Sequence, residues 1–119
     1  MARILIVDDS RTSRKILKGI LESEGYEIIC EATNGQEGYE RYVELKPDVV
    51  TMDITMPVLD GIEALKKIKS EFPEAKVIMV TAAGQRTKMV EAVQNGADEF
   101  VSKPFEPDQL KKIIDKVAG

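Results

Sequence analysis

The chain has 119 residues, 43% hydrophobic and 32% charged, a globular composition of one domain's length that excludes disorder and collagen-like repeats. Lys and Arg number 17 against 21 Asp and Glu, a net charge of −4, so the chain lacks the basic face that general nucleic-acid binding requires. There is no histidine, which removes Ser-His-Asp and Cys-His nucleophiles and every His-based metal site, and the single cysteine, Cys30, permits no internal disulfide, as expected of a cytoplasmic protein.

Short runs rich in Val and Ile alternate with segments of helical spacing. Residues 4–7 read as a first strand. Ile16, Leu17, Ile20 and Leu21 then mark a helix face that stops at Gly25, a residue suited to a left-handed cap. Residues 27–31 read as the second strand. Tyr39, Tyr42, Val43 and Leu45 mark the second helix, ending before Pro47. The third strand is 49–52, and Ile62, Leu65 and Ile68 mark a helix ending before Pro73. The fourth strand is 77–80, followed by Met89, Val90 and Val93 on a helix that stops at Asn95-Gly96. Phe100-Val101 is the last strand. The last helix follows Pro107, a favoured first-turn residue, and carries Leu110, Ile113, Ile114 and Val117. Cys30, Met56, Met79 and Met89 read as packed side chains. No apolar run is long enough to span a membrane, and no signal peptide is visible, so neither membrane nor export is expected. A single domain over 1–119 without an output domain is expected.

The run Ile4-Leu5-Ile6-Val7 is apolar on both faces, as in a central parallel strand covered on two sides. The alternation therefore implies an α/β doubly wound parallel sheet of five strands and five helices. Ligands of such sheets sit outside the carboxyl ends of the strands. Asp8 and Asp9 follow the first strand, Asp53 the third, Thr81 the fourth, and Lys103-Pro104 the fifth.

Two carboxylates about 4 Å apart repel by about 4 kcal/mol at an effective dielectric near 20. Three of them call for a cation or a retained proton. An all-oxygen donor set without His or Cys selects Mg²⁺, with Mn²⁺ as the alternative. With the metal and Lys103 in place, one carboxylate can attack phosphorus, and Lys103 and Thr81 can hold the phosphoryl oxygens. Singly, each residue has an ordinary role: Asp8 and Asp9 leading into a helix capped by Ser10, Thr81 as a loop hydroxyl, Lys103 as a solvated cation. Their joint placement at four strand ends carries the reading. Neither Gly-x-Gly-x-x-Gly nor Gly-x-x-x-x-Gly-Lys-Ser/Thr occurs, so the phosphoryl donor is expected to be a protein or a small acyl phosphate.

Asp8-Asp9, Asp53-Ile54-Thr55-Met56-Pro57 with Asp60-Gly61, Thr81-Ala82 and Lys103-Pro104-Phe105 together resemble the receiver domain of two-component response regulators. Asp-Ile-Thr-Met-Pro is similar to the acceptor segment of chemotaxis receivers. The resemblance implies a flavodoxin-like sheet with strand order 2-1-3-4-5. It makes Asp53 the phosphoacceptor, and Asp8, Asp9, Asp53 and the backbone carbonyl of Thr55 the metal ligands. Thr81 and Lys103 would contact the phosphoryl group, and Phe100 would be the switch aromatic. Thr55 and Ala83 would stand at the positions that tune hydrolysis. Gly61 and Pro104 would be structural, Pro104 after a cis bond. The implied donor is a sensor histidine kinase, and the implied target a flagellar motor switch or phosphotransfer protein, bound by a monomer through the fourth helix, fifth strand and fifth helix. Lys88, Glu91, Ala92, Lys111, Lys112 and Asp115 are the expected exposed residues of that surface.

Four other readings compete. The chain could be a phosphorelay intermediate or a receiver cut from a longer regulator. A Mg²⁺-dependent Asp-nucleophile phosphatase would place a second Asp two residues after the nucleophile, where this chain has Thr55. A partner-binding receiver without phosphorylation is disfavoured, because every site position holds a competent residue.

Overall fold

The computed structural model describes residues 2–119. The elements are β1 (Arg3–Val7), α1 (Arg11–Ser23), β2 (Glu27–Ala32), α2 (Gly35–Leu45), β3 (Val49–Asp53), α3 (Gly61–Glu71), β4 (Val77–Thr81), α4 (Arg86–Gln94), β5 (Glu99–Ser102) and α5 (Pro107–Ala118). All strand pairs are parallel, in the order β2-β1-β3-β4-β5. This is the expected doubly wound sheet. The β1–β2 register shifts between Ile4 and Leu5, an irregularity that the sequence does not signal.

The period of two along each strand divides the core. Leu5, Val7, Val50, Met52, Val77 and Met79 face Tyr42, Ile62, Leu65, Ile68 and Ala92 from α2, α3 and α4. Ile4, Ile6, Val49, Ile78 and Val101 face Leu17, Leu21, Leu110, Ile114 and Val117 from α1 and α5. Every residue of β3 and β4 is buried, which is why these strands read as continuous apolar runs.

The helix faces depart from the sequence reading in places. Ile16 on α1 is 50% exposed, and Val43 on α2 is also exposed. On α4, Val90 and Val93 are 52% and 54% exposed, Met89 is half-buried, and Ala92 is fully buried. Ala92 therefore does not belong to an exposed surface. Its small side chain lies in the core against the sheet. Glu91 is half-buried and pairs with Lys66 on α3 at 3.2 Å. Lys88, Lys111, Lys112 and Asp115 are exposed as expected.

Thr51 is a buried exception in β3. Its neighbours in register are Ile6 and Ile78, and its hydroxyl has no hydrogen-bond partner. An unpaired buried hydroxyl costs about 1–3 kcal/mol. Thr51→Val keeps the shape and removes the orphan, so it is expected to raise stability by about 1 kcal/mol. Urea unfolding would read this as a higher midpoint at unchanged slope; a lower midpoint would show that the hydroxyl is bonded in solution.

Candidate functional site

Asp8 continues the face of β1 that carries Ile4 and Ile6, just beyond the end of the strand. It is 2% exposed, and its Oδ1 accepts from Ser10 N–H at 2.8 Å. Ser10 in turn caps α1 by accepting from Ser13 N–H. Arg14 on α1 donates to the Asp8 carbonyl at 2.8 Å, which pins the backbone at this corner. Asp9, the next residue, is exposed. Asp53 ends β3, is 7% exposed, and accepts from Ile54 N–H at 2.9 Å. Lys103, one residue past β5, reaches back over the sheet edge. Its Nζ lies 3.1 Å from Asp8 Oδ2 and 3.5 Å from Asp53 Oδ2.

Asp8, Asp9 and Asp53 each offer one carboxylate oxygen, and these oxygens lie within 4.8 Å of one another. Such crowding has electrostatic consequences. Burial, then the charge of Asp8, push the Asp53 carboxyl up to about 6, and Lys103 opposes them only in part. Burial pulls the Lys103 ammonium down, but its close contacts with the Asp8 and Asp53 carboxylates win and hold it above its ordinary value. Lys103 is near Asp8 Oδ2 by distance, yet that buried oxygen makes no properly directed hydrogen bond. An orphaned carboxylate oxygen beside two further carboxylates fits a small, hard, oxygen-seeking cation.

The remaining expected residues surround this cluster. Thr81 ends β4 and is buried; its hydroxyl donates to the Val101 carbonyl at 3.4 Å. Phe100 is half-buried against the core under α2, α3 and α4. Thr55 and Ala83 are exposed on the loops beyond β3 and β4. The Lys103–Pro104 bond is cis. Gly61 opens α3 under the cap Asp60, with its backbone against Asp53 and Ile54.

The response regulator receiver domain family matches residues 4–115. The chain belongs to this family.

The chemotaxis protein CheY of Thermotoga maritima is 49% identical over 116 residues, covering 98% of this chain and 97% of that protein. The CheY of Bacillus subtilis is 48% identical over 114 residues, covering 96% and 95%. Among solved structures, the CheX-CheY-BeF3-Mg complex of Borrelia burgdorferi aligns at a TM-score of 0.92 and 36% identity, over 98% of this chain and 88% of that one. The chain is thus a receiver of two-component signalling, a signalling module. No helix among its described residues is long and apolar enough to cross a membrane.

Two side chains of this receiver's site were not singled out from sequence. Arg14 reads there as an ordinary charged residue on a helix. Gln85, just before α4, accepts from Ala82 N–H at 2.6 Å and donates to the Thr55 hydroxyl at 2.9 Å, so it bridges the loops beyond β3 and β4. The only sequence signal for Gln85 is a poor capping residue at a helix start.

Proposed function

We propose that Asp53 accepts a phosphoryl group from a phosphohistidine of a sensor histidine kinase, and that the phosphorylated chain binds a downstream protein in chemotaxis, the flagellar motor switch. The observation that carries this reading is the convergence of Asp8, Asp9 and Asp53 within 4.8 Å, with Lys103 Nζ 3.5 Å from the Asp53 carboxylate. The acceptor oxygen of Asp53 attacks phosphorus, the bond from phosphorus to the histidine nitrogen breaks, and the electron pair leaves with the imidazole. Asp53 must be ionised for this, and a carboxyl pushed up to about 6 is ionised at neutral pH. Lys103 then transfers one of its contacts to the phosphoryl oxygens.

Asp8, Asp9, Asp53 and the Thr55 carbonyl would hold Mg²⁺. When bound, the cation offsets carboxylate repulsion and the charge that builds on the phosphoryl oxygens. The chain catalyses only its own phosphorylation and dephosphorylation. The pathway assignment is supported by similarity to the CheY proteins over nearly the whole chain.

The output follows from charge. A phosphoryl group adds roughly −2 at Asp53. The Thr81 hydroxyl leaves the Val101 carbonyl for the new oxygens, and Phe100 turns into the space it vacates. The surface of α4, β5 and α5, which presents Lys88, Lys111, Lys112 and Asp115, is thereby altered.

Acetyl phosphate or beryllofluoride with Mg²⁺ is expected to modify or bind the wild type, and Asp53→Asn to lose both responses. Equal responses in the two proteins would refute the acceptor assignment. Asp9→Ala is expected to abolish Mg²⁺ binding in a titration without phosphate; undiminished affinity would place the metal elsewhere.

A further inference from the structure

Gln85 occupies the cap position of α4 and does not cap it. Ser10, Asn34, Asp60 and Glu106 each accept from the first turn of their own helices. The Gln85 amide is turned to the rim of the site instead. Its Oε1 accepts from Ala82 N–H at 2.6 Å, and its Nε2 donates to Thr55 Oγ1 at 2.9 Å. Thr55 is two residues beyond Asp53, and Ala82 is one beyond Thr81. One side chain therefore ties together the two loops that leave the phosphoacceptor strand and its neighbour. An uncapped first turn forgoes a stabilising hydrogen bond, and a long side chain fixed at both ends loses rotamer freedom. The two directed hydrogen bonds offset these losses, and both go to the loops rather than to α4.

We propose that Gln85 is a positioning residue for the lifetime of the aspartyl phosphate: by clasping Thr55 and Ala82 it holds the rim of the site closed and slows hydrolysis. This rests on Asp53 being the phosphoacceptor. In hydrolysis the oxygen of water attacks phosphorus. The bond from phosphorus to the Asp53 oxygen breaks, its electron pair returns to the carboxylate, and the proton leaves with inorganic phosphate. The water must arrive in line with the breaking bond, from the solvent side, past the loops that carry Thr55 and Ala83. Ala83 offers it only a methyl group. Of those two side chains only that of Thr55 carries a polar group, its hydroxyl, and it is held by Gln85. Releasing the clasp frees that hydroxyl to orient water and lets the two loops part.

The experiment phosphorylates the full chain with acetyl phosphate and Mg²⁺, removes the donor and follows loss of the phosphoryl group. Gln85→Ala is expected to speed the loss about five-fold, the factor that one hydrogen bond is worth, with an unchanged melting temperature. Thr55→Val breaks half of the same clasp, so the double variant is expected to be no faster than the faster single one. A lifetime within about two-fold of wild type, a longer lifetime, or effects that multiply in the double variant would overturn the clasp. If Gln85→Ala does not fold, Gln85→Met keeps the length without the amide and reads the same quantity. A wild type that takes up no phosphate would defeat the acceptor assignment itself; a wild type that does, beside an unchanged Gln85→Ala, defeats only the role of Gln85.

Discussion

In metal-free solution at pH 7, Asp53→Asn is expected to be more stable than the wild type by about 2 kcal/mol, as residual solvent contact trims the full linkage value. Asp53 sits 7% exposed beside Asp8, and its carboxyl is pushed from 3.8 up to about 6, by burial first and the Asp8 charge second. The folded chain thus holds this proton more tightly than the unfolded chain does. Between about pH 4 and pH 6 the native state binds more protons than the unfolded state, so stability falls as pH rises through that window and is flat above it. The full shift corresponds to about 3 kcal/mol. Asparagine removes the charge and adds a donor beside the orphaned Asp8 oxygen, while Lys103 keeps its contact with Asp8 at 3.1 Å. Subtracting the two stability–pH curves, measured with chelator present, isolates Asp53 from the other carboxylates. A curve of wild type minus variant that is flat, or that rises with pH between 4 and 6, would contradict the assigned direction of the shift. Adding Mg²⁺ at pH 7 is expected to stabilise the wild type more than the variant, because a ligand of the native state stabilises by mass action and the variant has lost one carboxylate.

The fold and the placement of the cluster were legible in sequence for one physical reason. Buried parallel strands are written as short Val- and Ile-rich runs, so the residue after each run is a residue at the sheet edge. Asp8, Asp53 and Lys103 could be placed in this way before any contact was known. The phase of α4 could not. Met89 and Ala92 are three apart, and so are Val90 and Val93. In a nine-residue helix both pairs define an acceptable apolar face. Hydropathy favours the valines, yet the structure turns alanine inward and leaves the valines out. Lys46 closes α2 with φ 46°, a left-handed conformation for which glycine is the usual signal, and its ammonium stacks 3.5 Å over the Phe72 ring. The Gln85 bridge was hidden for a different reason. It depends on where a flexible side chain is aimed, and its partner Thr55 is 30 residues away in sequence.

Gly61→Ala is expected to cost about 3 kcal/mol or more, and to damage the site as well as the fold. A Cβ at Gly61 would overlap the backbone oxygen of Asp53 and lie 2.9 Å from its carbonyl carbon. Backbone atoms cannot rotate away as a flexible side-chain end can. Gly61 N–H also donates to the Ile54 carbonyl at 2.7 Å, and the cap Asp60 holds the start of α3. Relief therefore requires α3 to lift from β3 or the end of β3 to shift, and the end of β3 is Asp53 itself. A displacement of about 1 Å at a reacting group can cost about 100-fold in rate. Beryllofluoride affinity in Mg²⁺ is thus expected to fall along with the melting temperature. Gly19→Ala supplies the contrast. Gly19 lies within α1 with nothing within 4 Å of its would-be Cβ, so the same substitution is expected to stabilise by about 0.5–1 kcal/mol through helix propensity. Opposite signs at the two positions would show that contact with the Asp53 backbone, rather than any general intolerance of alanine for glycine, fixes residue 61. A Gly61→Ala protein that melts with the wild type and binds beryllofluoride as tightly would mean that this contact relaxes without moving Asp53.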